Sequence, residues 1–372
     1  MKQRKGWFKR VIWFVVFVAL AAVSMQVVIS QNEDFSLETF WLYITTATPI
    51  WLLAAAACMV GFVFFEGESM HFLLNFLGHK TTRKNCFVYA ASDIYFSAIT
   101  PSATGGQPAA AFCMMRDGLP AAATTLVLLM NLMMYNVSLM VLALLCFIIC
   151  PSVYLHFDTL AHILIWAGIA TQAVMTLVFF LLAFKAGPVI KIADWGLRIL
   201  ARLRLIKNPD ERRQGLEKMA GEYRGCVDQI WHRKDVVIRT FVYNFLQRLS
   251  QLGVTVFVFL ALDNPAGKIP DAFVTQSFAV LGSNSVPIPG AVGVADYLFI
   301  NGFRELVSED AVVHIELLSR GISFYFCIIM CGLTVLANYT ILAIRHRRAK
   351  KKAAVVVDAI ETDASPESPD SE

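Results

Sequence analysis

Hydrophobic residues run unbroken over lengths that match a bilayer rather than one face of a helix or strand. Uncharged stretches of close to 20 residues or more, the length a helix needs to cross roughly 30 Å of hydrocarbon, cover Val11–Ile29, Phe40–Phe65, Ala121–Cys150, Leu160–Phe184 and Gly321–Ile344. A sixth, Val236–Leu262, carries Arg239 and Arg248, so part of it must face protein. Two more apolar stretches are broken in the middle, one by Pro101-Ser-Ala-Thr-Gly-Gly-Gln-Pro108 and one by Pro287-Ile-Pro-Gly290. Unsatisfied backbone groups cost several kcal/mol each in hydrocarbon, so such breaks persist only where protein or a watery cavity surrounds them. They mark a site, whereas a lone proline such as Pro49 reads as a kink.

Composition agrees. The 372 residues are 57% hydrophobic and 16% charged, against about 25% charged in soluble domains, and the mean hydropathy is +0.59. The chain reads as an integral membrane protein. Its eight cysteines form no zinc-type pair and read as small buried hydrophobes. No motif for a metal, cofactor or soluble active site is present. Ala22-Val23-Ser24 would pass as a signal cleavage site, but the apolar run continues beyond it, so the segment reads as an uncleaved span.

Positive charge sets the expected sidedness. Five basic residues lie in segment 1–10, three in Lys80–Lys84, twelve in Lys185–Lys234 and six in Arg345–Lys352, whereas Gln31–Thr39 and Pro151–Thr159 have no Lys or Arg. With the basic segments inside, each broken stretch must return to its own side, and each entering arm of about 14 residues, roughly 21 Å, is too short to span. Two tilted full crossings each would satisfy the same parity. The expected fold is an all-α polytopic protein: about six spanning helices and two re-entrant hairpins, 87–115 and 271–302, in an inverted repeat. The flippase-like membrane domain would be 11–350, with a basic amino terminus 1–10, an inner-surface segment 187–234 and a disordered acidic tail 351–372. Both termini are expected in the cytoplasm.

At the first break, Ser102 and Thr104 can cap a half-helix starting near Pro108, and Gly105 and Gly106 let backbone approach a ligand. Amide groups at such a start suit a phosphate, with Gln107 beside them. The second break repeats this with Pro287, Pro289 and Gly290 leading to Gly293 and Asp296. Asp93, Asp296, Arg248 and Arg320 are charges at membrane depth, which are rare and usually functional. Asp296 could pair with either Arg248 or Arg320. Asn244, Gln247, Arg248 and Gln251 follow the spacing of one helix face, which must point inward. Arg116, Arg304, Glu305 and Glu316 are expected at the interface.

The stretch Phe96-Ser-Ala-Ile-Thr-Pro-Ser-Ala-Thr-Gly-Gly-Gln-Pro108, followed by Arg116-Asp-Gly-Leu-Pro120, closely resembles the membrane domain of lysylphosphatidylglycerol synthases. Ser285-Val-Pro-Ile-Pro-Gly-Ala-Val-Gly-Val-Ala-Asp296 looks like that family's second signature. The resemblance implies a flippase-like domain that moves aminoacylated phosphatidylglycerol between leaflets, without the separate transferase domain and so without enzyme activity. Asn131, where relatives often have an acidic residue, and Ala291, where glycine is common, leave the substrate open. The chain is therefore expected to be a phospholipid translocase. An ion-coupled transporter of a small solute and a non-catalytic partner of a phosphatidylglycerol lysyltransferase stand as alternatives. Expected partners are membrane phospholipids and a separate lipid-modifying transferase, not nucleic acid; an oligomer is compatible with the pattern.

Overall fold

The computed structural model describes residues 45–100, 104–185, 209–284 and 293–342, together with residues 41, 187–188, 191–192, 194–195, 286 and 344. The predicted span Val11–Ile29, segment 1–10 and tail 351–372 lie outside these, as do Ser102, Pro287, Pro289 and Gly290. All regular structure among the described residues is helical.

Eleven helices follow in order: α1 (Pro49–Phe76), α2 (Arg83–Ile99), α3 (Gly106–Arg116), α4 (Ala121–Ile149), α5 (Pro151–Leu155), α6 (Thr159–Phe184), α7 (Pro209–Trp231), α8 (Lys234–Ala261), α9 (Ile269–Ser283), α10 (Val294–Phe303) and α11 (Glu309–Arg320). A six-residue π segment, Gly321–Phe326, carries α11 onward to Leu342. Pro49–Phe76, Ala121–Ile149, Thr159–Phe184 and Ala311–Leu342 are long and apolar enough to cross a membrane. At 28 residues, or about 42 Å, α8 has the length for a crossing but not the composition. Its polarity points inward: Asn244, Gln247 and Arg248 are buried while Ile238 and Val242 are exposed, the reverse of a water-soluble helix.

One predicted boundary is corrected. Pro49 does not kink a span over Phe40–Phe65; it opens α1 at the first turn, where its missing N–H costs nothing. The helix then runs through Glu66 and Glu68 to Phe76, because both carboxylates find partners, Gln247 for Glu66 at 2.8 Å and Arg83 for Glu68 at 3.0 Å.

Helices α1 and α8 run antiparallel along most of their length. The Thr48 N–H donates to the Ala261 carbonyl at one end, 2.8 Å, and the Arg233 guanidinium lies 5.4 Å from the Phe76 ring centroid at the other. Small residues permit the approach: a Cβ built on Gly61 would stand 3.2 Å from Ser250 Oγ, and one on Gly253 3.2 Å from Cys58 Sγ.

Two helical hairpins clasp this pair from opposite ends. In the first, α2 and α3 lie side by side, with the Tyr89 hydroxyl donating to Asp117 at 2.9 Å. Its open end joins the cluster of Leu77, Cys86, Met114, Ala122, Ala183, Tyr223 and Ile230. In the second, α9 and α10 pack together and their open end meets the start of α6. There the Tyr297 hydroxyl donates to both Asp158 oxygens, at 2.6 and 2.5 Å, and Asn301 Nδ2 donates at 2.9 Å. Asp158 also caps α6 by accepting the Ala161 N–H at 2.8 Å. The Tyr297 hydroxyl, followed by the Ala161 amide, holds this carboxyl below the usual carboxylate range.

The second hairpin is held against α6 by a close backbone approach. A Cβ on Gly168 would come 2.7 Å from the Leu281 carbonyl carbon and 3.0 Å from Gly282 Cα, atoms that cannot swing aside. Gly168→Ala is expected to cost about 1–3 kcal/mol by overpacking, read as a lower melting temperature in detergent. Gly221→Ala, at a position with nothing within 4 Å, should not lower it.

Candidate functional site

The inward face of α8 sits at the middle of the molecule, and each of its polar side chains meets a different helix. Asn244 Nδ2 lies 3.0 Å from Ser69 Oγ of α1, 3.1 Å from Asn131 Oδ1 of α4 and 2.9 Å from the Thr240 carbonyl. This amide pins three helices together. One turn on, Gln247 Nε2 donates to Glu66 Oε2 at 2.8 Å. The Glu66 carboxyl is in turn in hydrogen-bond contact with that of Asp93 on α2. Asp93 also accepts from Gln107 Nε2 of α3 at 2.5 Å and from Ser97 Oγ at 3.3 Å.

Arg248 is the exceptional member. It is 1% exposed, its Cζ stands 3.2 Å from the Tyr135 ring centroid, and Nη1 donates to Gln251 Oε1. Its Nε and Nη2 have no hydrogen-bond partner among the described residues, and neither do the buried acceptors Gln107 Oε1, Gln247 Oε1 and Asn244 Oδ1. Buried polar groups are nearly always paired, and an unpaired buried charge costs several kcal/mol. Free guanidinium N–H groups form a socket for an anion with paired oxygens. The free amide oxygens and the two carboxyls suit a cationic donor. The cluster has the chemistry to hold a group carrying both charges.

At the tip of the first hairpin the structure redistributes the predicted roles. Helix α3 starts at Gly106, with Gly105 as its N-cap and no side-chain cap. The exposed Thr104 therefore does not cap it, and Pro108 falls within the first turn. The Gly105 N–H donates to Thr100 Oγ1 at 2.8 Å. A Cβ on Gly106 would collide with Ser97 Oγ and with the Asp93 carboxylate, so glycine is needed for the close approach. The anion placed against this helix start is the chain's own Asp93, in the position the helix dipole favours.

The tip of the second hairpin gathers Gly293, Asp296 and Arg320. Gly293 has φ +87°, a conformation that favours glycine, and its N–H donates to Asp296 Oδ2 at 2.8 Å. Asp296 Oδ1 accepts from Arg320 Nη2, and Arg320 Nε donates to Glu316 Oε1 at 3.0 Å. The partner of Asp296 is thus Arg320, not Arg248, and Arg320 is held between two carboxylates. Glu316 is 5% exposed, a correction to its expected interfacial place, because Arg320 one turn away pairs with it. Sequence reading missed Glu66, Glu316 and Tyr135. Charge inside a long apolar helix signals the first two; nothing in the local pattern signals the third.

Beside the polar cluster, α4, α8 and α9 enclose an apolar groove of about 490 Å³, lined by Leu142, Cys146, Phe245, Leu249, Phe257 and Phe273 among others.

A family model described as the lysylphosphatidylglycerol synthase TM region matches residues 10–331, which takes in both hairpins and every residue of the two polar clusters. No curated protein matches the chain.

Proposed function

The chain belongs to the lysylphosphatidylglycerol synthase transmembrane-region family, and from that premise we propose that it is a translocase moving lysyl- or another aminoacyl-phosphatidylglycerol between the leaflets of the cell membrane. The observation that carries this reading is the buried Arg248 guanidinium with two nitrogens lacking partners. A lipid phosphodiester supplies the oxygens it lacks, while the headgroup ammonium meets Glu66, Asp93 and the free Gln247 and Gln107 oxygens. Arg320 and Asp296 satisfy each other and take no direct part. Acyl chains remain in the lipid and in the apolar groove beside α8.

In this reading α2–α3 and α9–α10 are re-entrant. At 11 and 10 residues, or about 16 and 15 Å, α3 and α10 fall well short of roughly 30 Å of hydrocarbon. The basic groups Arg83, Arg116, Arg233 and Lys234 then face the cytoplasm, as the charge rule favours. Val11–Ile29 and α8 complete six spans, and both termini lie inside. The chain itself performs no lysyl transfer.

The test is reconstitution of the purified protein into vesicles containing lysylphosphatidylglycerol, with a membrane-impermeant amine reagent reporting the exposed fraction. Rapid loss of leaflet asymmetry, absent from protein-free vesicles, is the expected result. Exposure unchanged by the protein counts against the reading.

A further inference from the structure

The contact between Glu66 and Asp93 goes beyond recognition of a headgroup, although its use rests on the lipid reading above. Two carboxyls in hydrogen-bond contact cannot both be ionised; one bridging proton is needed to hold them together. The groups that face the pair come from four other elements or turns. Gln247 donates to Glu66 from α8, Gln107 donates to Asp93 from α3, and Ser97 reaches Asp93 from the next turn of α2. Cys327 and Cys331 of α11 and Arg248 of α8 are electrostatically coupled to Glu66. A second observation points to a ligand. Gln247 is 1% exposed and fixed by its nitrogen on Glu66, yet its Oε1 has no partner, and Gln107 Oε1 is in the same state. Such oxygens need a donor, and an ammonium group has three N–H bonds.

We propose that the Glu66–Asp93 pair is a proton site that gives up its one proton when the headgroup ammonium of the bound lipid enters, and regains it when the lipid leaves. The balance closes. Empty, the pair is one carboxyl and one carboxylate, charge −1, against Arg248 at +1. Loaded, two carboxylates and Arg248 enclose a lysyl headgroup with two ammonium groups and one phosphate, and the proton has gone to water. Both states of the site are neutral, so neither leaves an uncompensated charge in hydrocarbon. Phosphatidylglycerol without its amino acid would leave −1 behind and is excluded. Transfer of one lysyl lipid outward against one proton inward moves no net charge.

The test uses the full chain in detergent, weakly buffered at pH 6 so that the probe's amines are protonated, with a pH-sensitive dye and native mass spectrometry of bound lipid. Lysylphosphatidylglycerol is expected to release about one proton per molecule bound. Glu66→Gln and Asp93→Asn, which keep shape and hydrogen bonding, should bind the lipid without releasing any. Binding of lysylphosphatidylglycerol without proton release overturns the proposal and leaves the lipid reading standing. Release that persists undiminished in both variants also overturns it. A wild-type protein that binds neither this lipid nor phosphatidylglycerol overturns the reading and the proposal together.

Discussion

Replacing Arg248 with methionine is expected to slow transfer of lysylphosphatidylglycerol by about 30-fold or more while leaving the folded protein as stable as before, or more so. The magnitude follows from what the guanidinium would do for a bound phosphate. Removing one partner of a buried, hydrogen-bonded charge pair costs about 2–5 kcal/mol, and each 1.4 kcal/mol is a factor of ten. The sign of the stability effect follows from what it does in the empty protein. Nε and Nη2 are buried with no partner, so the fold carries a desolvation penalty that methionine, of similar length, removes. Arg248→Lys separates charge from geometry, because an ammonium keeps the charge but loses the planar fork and the stacking on Tyr135; its transfer should fall between the two. The measurements are leaflet exchange in vesicles and melting in detergent. Wild-type transfer by Arg248→Met would remove Arg248 from the substrate path, and a large loss of stability would make it a structural cation.

Arg320→Met is expected to do the opposite, destabilising the protein by about 3–5 kcal/mol. Here the guanidinium is engaged on both sides, by Asp296 and by Glu316, and all three side chains are largely buried. Taking away the cation leaves two carboxylates with nothing to offset them. Asp296 also holds the Gly293 N–H at the start of α10, so repulsion reaches the tip of the second hairpin. Neutralising the anions as well, with Asp296→Asn and Glu316→Gln in the same protein, should restore much of the lost melting temperature. Failure of that rescue would mean that Arg320 acts through packing rather than charge. Two arginines of one chain, both at membrane depth, thus part company: one waits for an anion and the other already has two.

The sequence foretold the frame well and the pairings poorly. Long uncharged runs predict α4, α6 and the later part of α11, because length against bilayer thickness is a property of the run itself. The spacing of Asn244, Gln247 and Arg248 predicts an inward polar face on α8, and all three are buried. Proline and glycine at the two breaks predict interrupted segments, and each resolves into a pair of short helices. Choosing between Arg248 and Arg320 as the partner of Asp296 was beyond periodicity, since both lie on helices flanking the same hairpin. Glu66 went unnoticed because the apolar run stops at Phe65, and only the contact with Gln247, 181 positions away, shows why the helix continues. The capping expected of Thr104 fails for a related reason. A close fit between Gly106 and Asp93 is a tertiary contact and fixes the helix start two residues before Pro108.

The wide turn in the last helix decides which neighbours that helix can address. Positions 316, 320, 327 and 331 are spaced so that a regular α-helix would align them in a single row. Between the second and third of these lies Gly321–Phe326, wound with five-residue hydrogen-bond spacing. That inserts close to one residue's worth of rotation, about 100°, and splits the row in two. Glu316 and Arg320 look toward Asp296 on the second hairpin, whereas Cys327 and Cys331 turn to the cluster around Ala90, Val254 and Cys58, within electrostatic reach of Glu66. One rod is thereby keyed to both halves of the protein, and its two ends can be read as separate surfaces although the chain between them never leaves the helix.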